Sequence, residues 1–413
     1  MSKDRKLSGQ PVICQLLSFI PKQIIEQVVQ EKQSDYYYKK MTTHKQLVFM
    51  LYGVISKSPS LNSLCKSLLF LDKKLSYLGI DQIPSKSTLS YVNIQRDSEV
   101  FAALYHQLYA HYKKYLTKKH IGAFLKDEVD LNSVEIFDSS TISLFTDIFK
   151  GAGRTPLEGR KKGGLKLHAK LPLNGLVPDL VLLDQAANND KDFLGQLNPM
   201  PGKIYLFDKG YVNYQKWEEW TKSGVFYLTR LNENAKLDNL VGQPNHPVEY
   251  ADGGIISDYT ANLGPAFVRV VTFKDHVTGK VLRFVTNLMD CQPETIAYLY
   301  KCRWSIELLF KQLKQNFELG YFYSDKPEGI KSQIWIALIA NLIFTVIHRQ
   351  VKECELFSTI VDMATANLGS YMSLIKVVKS KPPAYQDRSL ENVQLNMFQL
   401  DEGGVFENLG KSP

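Results

Sequence analysis

Within YLYKCRWSIELLFKQLKQNF, residues 298–317, Tyr300, Arg303, Glu307, Lys311 and Lys314 follow one another at intervals of 3, 4, 4 and 3. At about 100° per residue, a helix gathers all five into a sector of roughly 80°. Cys302, Ile306, Leu309, Leu313 and Phe317 form the opposite, apolar side, and Trp304 lies beside the polar sector. Two more acids close apolar runs: Asp138 ends VEIF and Asp208 ends KIYLF. Taken singly, each feature has a structural explanation, since aspartates form turns after strands and charged helix faces are often only solvated. Together, three carboxylates from two strand ends and one helix match a two-metal phosphoryl-transfer site. Mg²⁺ prefers hard oxygen ligands, and two ions roughly 4 Å apart clamp the attacking and leaving oxygens of an in-line displacement. Mn²⁺ is the expected substitute ion. Neighbouring Lys and Arg side chains would grip phosphates.

The elements that must position these groups are legible in outline. Residues 1–120 read as all-helical. Pro21 opens one helix, Thr42 or Thr43 caps HKQLVFMLYGVI, and Ser60 or Asn62 starts SLCKSLLFL. The segment SKSTLSYVNIQR (85–96) precedes a longer helix over 99–115. Such short helices suit a helix-turn-helix reader of DNA or a helical dimerisation module. From about residue 130 the period changes to strands: 134–138, 142–146, 165–171, 180–183, 203–207 and 225–229. Helical stretches fall over 190–197 and 213–222, so the expected class is mixed α/β. The expected organisation is a helical domain over 1–120 with a DNA-binding role, a catalytic core over 130–230, a β-rich insertion over 231–290 (VEY, FVRVVTF, VLRFVTN and the Asp252-Gly253-Gly254 turn), the second part of the core over 291–352, and a C-terminal segment over 353–413 with a loosely held tail.

Composition narrows the class. The chain has 413 residues, 44% of them apolar and 22% charged. Its longest apolar run, 334–347, contains Asn341 and is too short for a membrane span, so a buried core helix is expected. The five cysteines (Cys14, Cys65, Cys291, Cys302 and Cys354) are scattered and odd in number, which argues against a disulfide framework or a zinc finger and for a reducing cytoplasm. The net charge is +8, and residues 150–170 carry Lys150, Arg154, Arg160, Lys161, Lys162, Lys166 and Lys170 against Glu158 alone. Such a cluster suits a polyanion or a solvated loop. In LKLHAKL, His168 shares a strand face with Lys166 and Lys170; a place near a scissile phosphate and a cross-strand hydrogen bond are both open to it.

The spacing Tyr300-x2-Arg303-x3-Glu307-x6-Lys314 resembles the Y-(2)-R-(3)-E-(6)-K pattern of bacterial insertion-sequence transposases of the insertion sequence 4 type. FDSSTI (137–142) and FDKGY (207–211) are similar to the first and second catalytic aspartate segments of that family. The resemblance implies a ribonuclease H-like fold, with Asp138, Asp208 and Glu307 as a metal-binding DDE triad. It also implies contacts from Tyr300, Arg303 and Lys314 to phosphates near a transposon end; Lys311, Lys166, Lys170 and His168 are further DNA-contact candidates, and Trp304 would stack on an unpaired base or pack against a strand. Implied partners are transposon-end and target double-stranded DNA and a second copy of the chain in a synaptic complex, with no membrane partner; the implied location is the bacterial cytoplasm, in association with the nucleoid. Strand cleavage by water and transfer by the freed 3′-hydroxyl follow, with a hairpin intermediate typical of the group. The alternatives are a decayed protein that only binds DNA and a ribonuclease H-fold endonuclease.

Overall fold

Side-chain caps begin several helices where the sequence places hydroxyls and amides. The first helices are α1 (Val12–Leu17) and α2 (Lys22–Lys32), the latter entered through Pro21. In α3 (Thr43–Ile55), Thr42 accepts from the Lys45 N–H at 3.4 Å. Ser60 does the same for Ser63 at 3.0 Å in α4 (Leu61–Leu69), and Ser85 for Thr88 at 3.2 Å in α5 (Lys86–Gln95). Helix α6 spans Glu99–Tyr112. This computed structural model describes residues 9–71, 73–117, 128–143, 164–185, 194, 197–232, 234–242, 254–276, 278–317, 319–352 and 355–380. Outside the described residues lie Lys150, Arg154, Glu158, Arg160, Lys161 and Lys162 of the basic cluster, 144–146, most of the expected helix at 190–197, VEY, Asp252, Gly253, Cys354 and the tail beyond 380.

The strands are β1 (Val134–Ser143), β2 (Gly164–Pro172), β3 (Leu180–Gln185) and β4 (Ile204–Leu206), then α7 (Tyr214–Lys222), β5 (Phe226–Arg230), β6 (Asp238–Val241), β7 (Gly254–Leu263), β8 (Ala266–Lys274) and β9 (Val281–Thr286). They form one sheet in the order β3-β2-β1-β4-β5-β9-β8-β7-β6. Strands β1, β2 and β3 run antiparallel to one another in turn, whereas β4 is parallel to β1 and β5 is parallel to β4. The β-rich segment continues this sheet, because β9 pairs antiparallel with β5. Five helices follow: α8 (Pro293–Cys302), α9 (Trp304–Asn316), α10 (Pro327–Gln350), α11 (Phe357–Ala366) and α12 (Leu374–Ser380). The architecture is a mixed α/β fold with a large sheet and an N-terminal helical region.

Alternation along the strands sorts side chains onto two faces. Ile136, Leu206 and Leu228 join the core shared with the N-terminal helices and with α8–α12. Phe137, Tyr205, Phe207 and Tyr227 face the other way, where α7 covers them with Trp217 and Trp220. Helix α10 is 24 residues long and apolar enough to cross a membrane, yet 94% of its most apolar window is buried in the fold. The Oδ1 of its interior Asn341 accepts from Gln312 Nε2 of α9 at 2.7 Å. That bond ties α9 to the core helix.

Three expectations need correction. Asp138 does not end a strand: β1 runs through it to Ser143, because Ser139, Ser140 and Thr141 pair with His168, Leu167 and Lys166 of β2 instead of turning. The stretch 298–317 is not one helix. At Arg303 the N–H bonds to Tyr300 O, three residues back, at 3.1 Å, and this tighter turn separates α8 from α9. Finally, β6 and β7 add strands beyond those expected from the sequence.

Candidate active site

Strand register creates the site. Ile136 lies opposite Leu206, and Leu206 opposite Leu228. Two residues further along each chain, Asp138, Asp208 and Arg230 therefore emerge side by side on the face that meets α8 and α9. Strand β4 stops at Leu206, so the backbone beyond it leaves the sheet, and Asp208 stands at the entry to a single turn of 3₁₀ helix, Lys209–Tyr211.

Arg303 occupies the centre. Its Nη1 donates to Asp138 Oδ2 at 3.1 Å and its Nη2 to Glu307 Oε1 at 2.5 Å. The other Asp138 oxygen, Oδ1, accepts from the Ser139 N–H at 2.8 Å. Asp208 Oδ1 accepts from Arg230 Nη2 at 2.8 Å and from the Tyr300 hydroxyl at 3.3 Å. The Tyr300 ring packs on Phe284, with centroids 4.8 Å apart, and lies 5.4 Å from the Arg303 guanidinium carbon and 5.9 Å from that of Arg230. Tyr300 is thus buried among these charged groups.

The two aspartates titrate in opposite directions. Burial pushes Asp138 up to about 6, against the pull of Arg303 and the Ser139 N–H, and the charges of Asp208 and Glu307 push the same way. Asp208 is also pushed up by burial, but its hydrogen bond from Arg230 and the charges of Arg230 and Arg303 outweigh this and hold it below the usual carboxylate value. Burial lowers the proton affinity of Arg303, yet Tyr300, Asp138 and Glu307 together raise it. Burial also lifts the Tyr300 phenol to about 12, so it remains a hydrogen-bond donor at neutral pH.

The structure therefore brings together Asp138, Asp208, Glu307, Tyr300 and Arg303. Lys314 reaches the same end of β1, where its Nζ donates to Thr141 O at 3.1 Å, and burial lowers its proton affinity. Lys311 is exposed on α9 and Trp304 is 42% exposed. His168 is buried opposite Ser139, with Nδ1 3.5 Å from the Tyr211 hydroxyl. Lys166 is buried on β2 between Thr141 and Asp184. Lys170 is turned to another use, as its ammonium pairs with Glu135 and with Asp179, the latter at 3.2 Å. Sequence reasoning misses Arg230; its one signal is its position at the end of VFYLT, beside two runs that lead into acids.

Three carboxylates are hard oxygen donors and suit Mg²⁺. Among the described residues no three such groups surround one point closely enough to hold an ion as they stand. The Arg303 guanidinium lies between Asp138 and Glu307 and supplies the positive charge there.

Residues 131–343, more than half of the chain, match the family described as the transposase DDE domain. The chain belongs to the DDE transposase family. It is a DNA transposase, an enzyme of the polynucleotidyl-transferase and endonuclease type. Residues 8–81 match a domain of unknown function, DUF4372. This transposase is similar to y4zB of Sinorhizobium fredii, named as a transposase, with 28% identity over 274 residues covering 64% of this chain and 72% of that one. It is also similar to the protein named as a transposase for insertion sequence element IS5377 of Geobacillus stearothermophilus, 23% identical over 226 residues, 53% of this chain and 58% of that one. Transposase InsG for insertion sequence element IS4 of Escherichia coli is 26% identical over 176 residues, 38% of each chain. The piggyBac transposase in its synaptic complex with hairpin DNA aligns over 98% of this chain and 89% of that one, at TM-score 0.45 and 11% identity.

Proposed function

We propose that Asp138, Asp208 and Glu307 form the metal-binding catalytic triad of a ribonuclease H-like core that cuts transposon ends and joins them to target DNA. The observation that carries this is the convergence of the three acids, from β1, the loop after β4 and α9, on one face of the sheet around Arg303. Bound Mg²⁺, two ions in this reading with Mn²⁺ as substitute, supplies Lewis acidity to the phosphate and activates the attacking oxygen. The chain's own groups prepare the rest. Arg230 and the Tyr300 hydroxyl fix Asp208 from one side and keep it ionised. Asp138 and Glu307 are held ready by Arg303, which must leave at least one of them when a metal enters. A guanidinium so released suits the bidentate grip of a DNA phosphate. Lys311 and Lys314, on the same helix, would extend that grip, and Trp304 presents a ring to an unpaired base.

Two displacements follow from this arrangement. Water attacks phosphorus at the element's end, the P–O3′ bond breaks, and the departing 3′-oxygen takes a proton. The resulting 3′-hydroxyl then attacks a target phosphate, and the target's own 3′-oxygen leaves. Two ends have to be held at once, so a dimeric synaptic complex is part of the proposal. Calorimetric titration with Mn²⁺ in the absence of DNA tests the site. Glu307→Gln should weaken binding about tenfold or more, whereas Arg303→Gln should strengthen it, because an internal cation has been removed. Weaker binding in both variants would contradict the role given to Arg303.

A further inference from the structure

Between α2 and α3 the chain reads SDYYYKKMT, residues 34–42, within the segment matched by the domain of unknown function. Helix α2 stops at Gln33, which is in the left-handed region at φ 49° and ψ 33°. The base of the loop is then tied down. Asp35 Oδ1 accepts from the Thr43 N–H at 2.6 Å, the Thr43 hydroxyl at 2.8 Å and Arg96 Nη2 at 3.1 Å. Arg96 is only 2% exposed. It also donates to Ser34 O at 3.3 Å, to Met41 O at 2.9 Å and to Gln46, and its guanidinium lies 4.3 Å from the Tyr38 ring centre. One buried side chain thus holds both ends and the floor of the loop.

The tip is left in solvent. Tyr36 is 73% exposed and Tyr37 85% exposed, with ring centroids 4.6 Å apart at 89°. Lys39 and Lys40 are exposed beside them, and residues 36–41 line an open depression of about 430 Å³. Residues 32–45 carry Lys32, Lys39, Lys40 and Lys45 against one acid, Asp35, whose Oδ1 is bonded inward. His44 shows the local field: burial first, then the charges of Lys22 and Lys45, lower its proton affinity, with Asp35 opposing.

We propose that this loop is a second DNA contact, in which Tyr36 and Tyr37 stack on unpaired bases while Lys39 and Lys40 hold the flanking phosphates. Aromatic rings beside ammonium groups are the usual means of gripping a single strand, and the rigid floor means that little order has to be imposed on binding. A second copy of this chain, at +8, brings like charge, whereas DNA brings both phosphates and π faces. The loop lies far along the sequence from the carboxylates and adds a substrate contact to the proposed reaction, on which this inference rests.

The test is fluorescence anisotropy of the full chain with two labelled duplexes carrying the element's end, one blunt and one with a short single-stranded overhang. Tyr36→Ala/Tyr37→Ala should bind the overhang duplex about tenfold or more weakly, with the blunt duplex unaffected. Tyr36→Phe/Tyr37→Phe should restore the affinity. Lys39→Ala/Lys40→Ala should reduce the salt slope on the overhang duplex by roughly 1 to 2. Unchanged affinity and slope in folded variants, or equal loss on both duplexes, overturns the proposal. So does a shift in sedimentation with no change in affinity, which assigns the rings to a protein contact. Metal-dependent nicking of the blunt duplex by the wild type, measured alongside, reports on the catalytic reading separately.

Discussion

Asp138 stands on β1 and Asp208 just beyond the end of the neighbouring β4, yet their surroundings send their proton affinities apart. Asp138 is the more enclosed, with a side chain 16% exposed against 33% for Asp208, and it shares its one cation with Glu307. Asp208 has Arg230 to itself and the Tyr300 hydroxyl besides. A carboxyl raised from 3.8 to about 6 contributes stability that is fully present below pH about 4 and is lost as pH rises through 6. At about 1.4 kcal/mol per unit, the loss is about 3 kcal/mol. In urea unfolding with metal chelated, Asp138→Asn should therefore gain up to that amount relative to wild type between pH 4 and 7. A difference that stays flat with pH contradicts the burial of this group. The three acids could be picked out of the sequence because each sits against an apolar run or within a spaced set. The partners of those acids could not. Nothing in VFYLTR states that its arginine will lie beside Asp208, since that depends on the register of two parallel strands.

At the scale of elements, the break at Arg303 decides what the Tyr-Arg-Glu-Lys spacing does. Helical periodicity places these residues on one face, but it does not reveal that a tighter turn will point Arg303 inward between two acids. Strand β1 shows a related limit: Ser139-Ser140-Thr141 reads as a turn until β2 is there to pair with it. The β-rich segment could be recognised as strands, but its attachment to β5 rests on pairing between residues far apart in sequence. Helix ends, by contrast, are local, and Ser60, Ser85, Thr42 and Asn213 cap where their side chains suggest. Behind the site, α10 is set against α5 by a close approach at Gly329. A Cβ there would lie 2.4 Å from Ser324 Cβ and 3.0 Å from Asn93 Nδ2. Gly329→Ala should cost about 1–3 kcal/mol through overpacking and lower the melting temperature, despite alanine's better helix propensity. Unaltered stability would show that this junction has room to give.

Across the whole molecule, one apolar core runs from the N-terminal helices through one face of the sheet to α10 and α11. The helical region therefore forms a wall of the structure that presents the acids, and Tyr323 makes the link explicit, its one hydroxyl proton shared between Gly53 O and Ser58 O, each 2.9 Å away. An excess of eight positive charges, from 50 Lys and Arg against 42 Asp and Glu, suits a DNA-handling enzyme. Strand cleavage tests the central claim most directly: a labelled duplex bearing the element's own end is incubated with Mg²⁺ or Mn²⁺ and either wild type or Glu307→Gln. Metal-dependent nicking at the end by wild type, lost in Glu307→Gln while DNA binding persists, is the expected result. Binding without cleavage by folded wild type, or cleavage that survives the substitution, would contradict the assignment of Glu307 and its two aspartate partners as the catalytic triad.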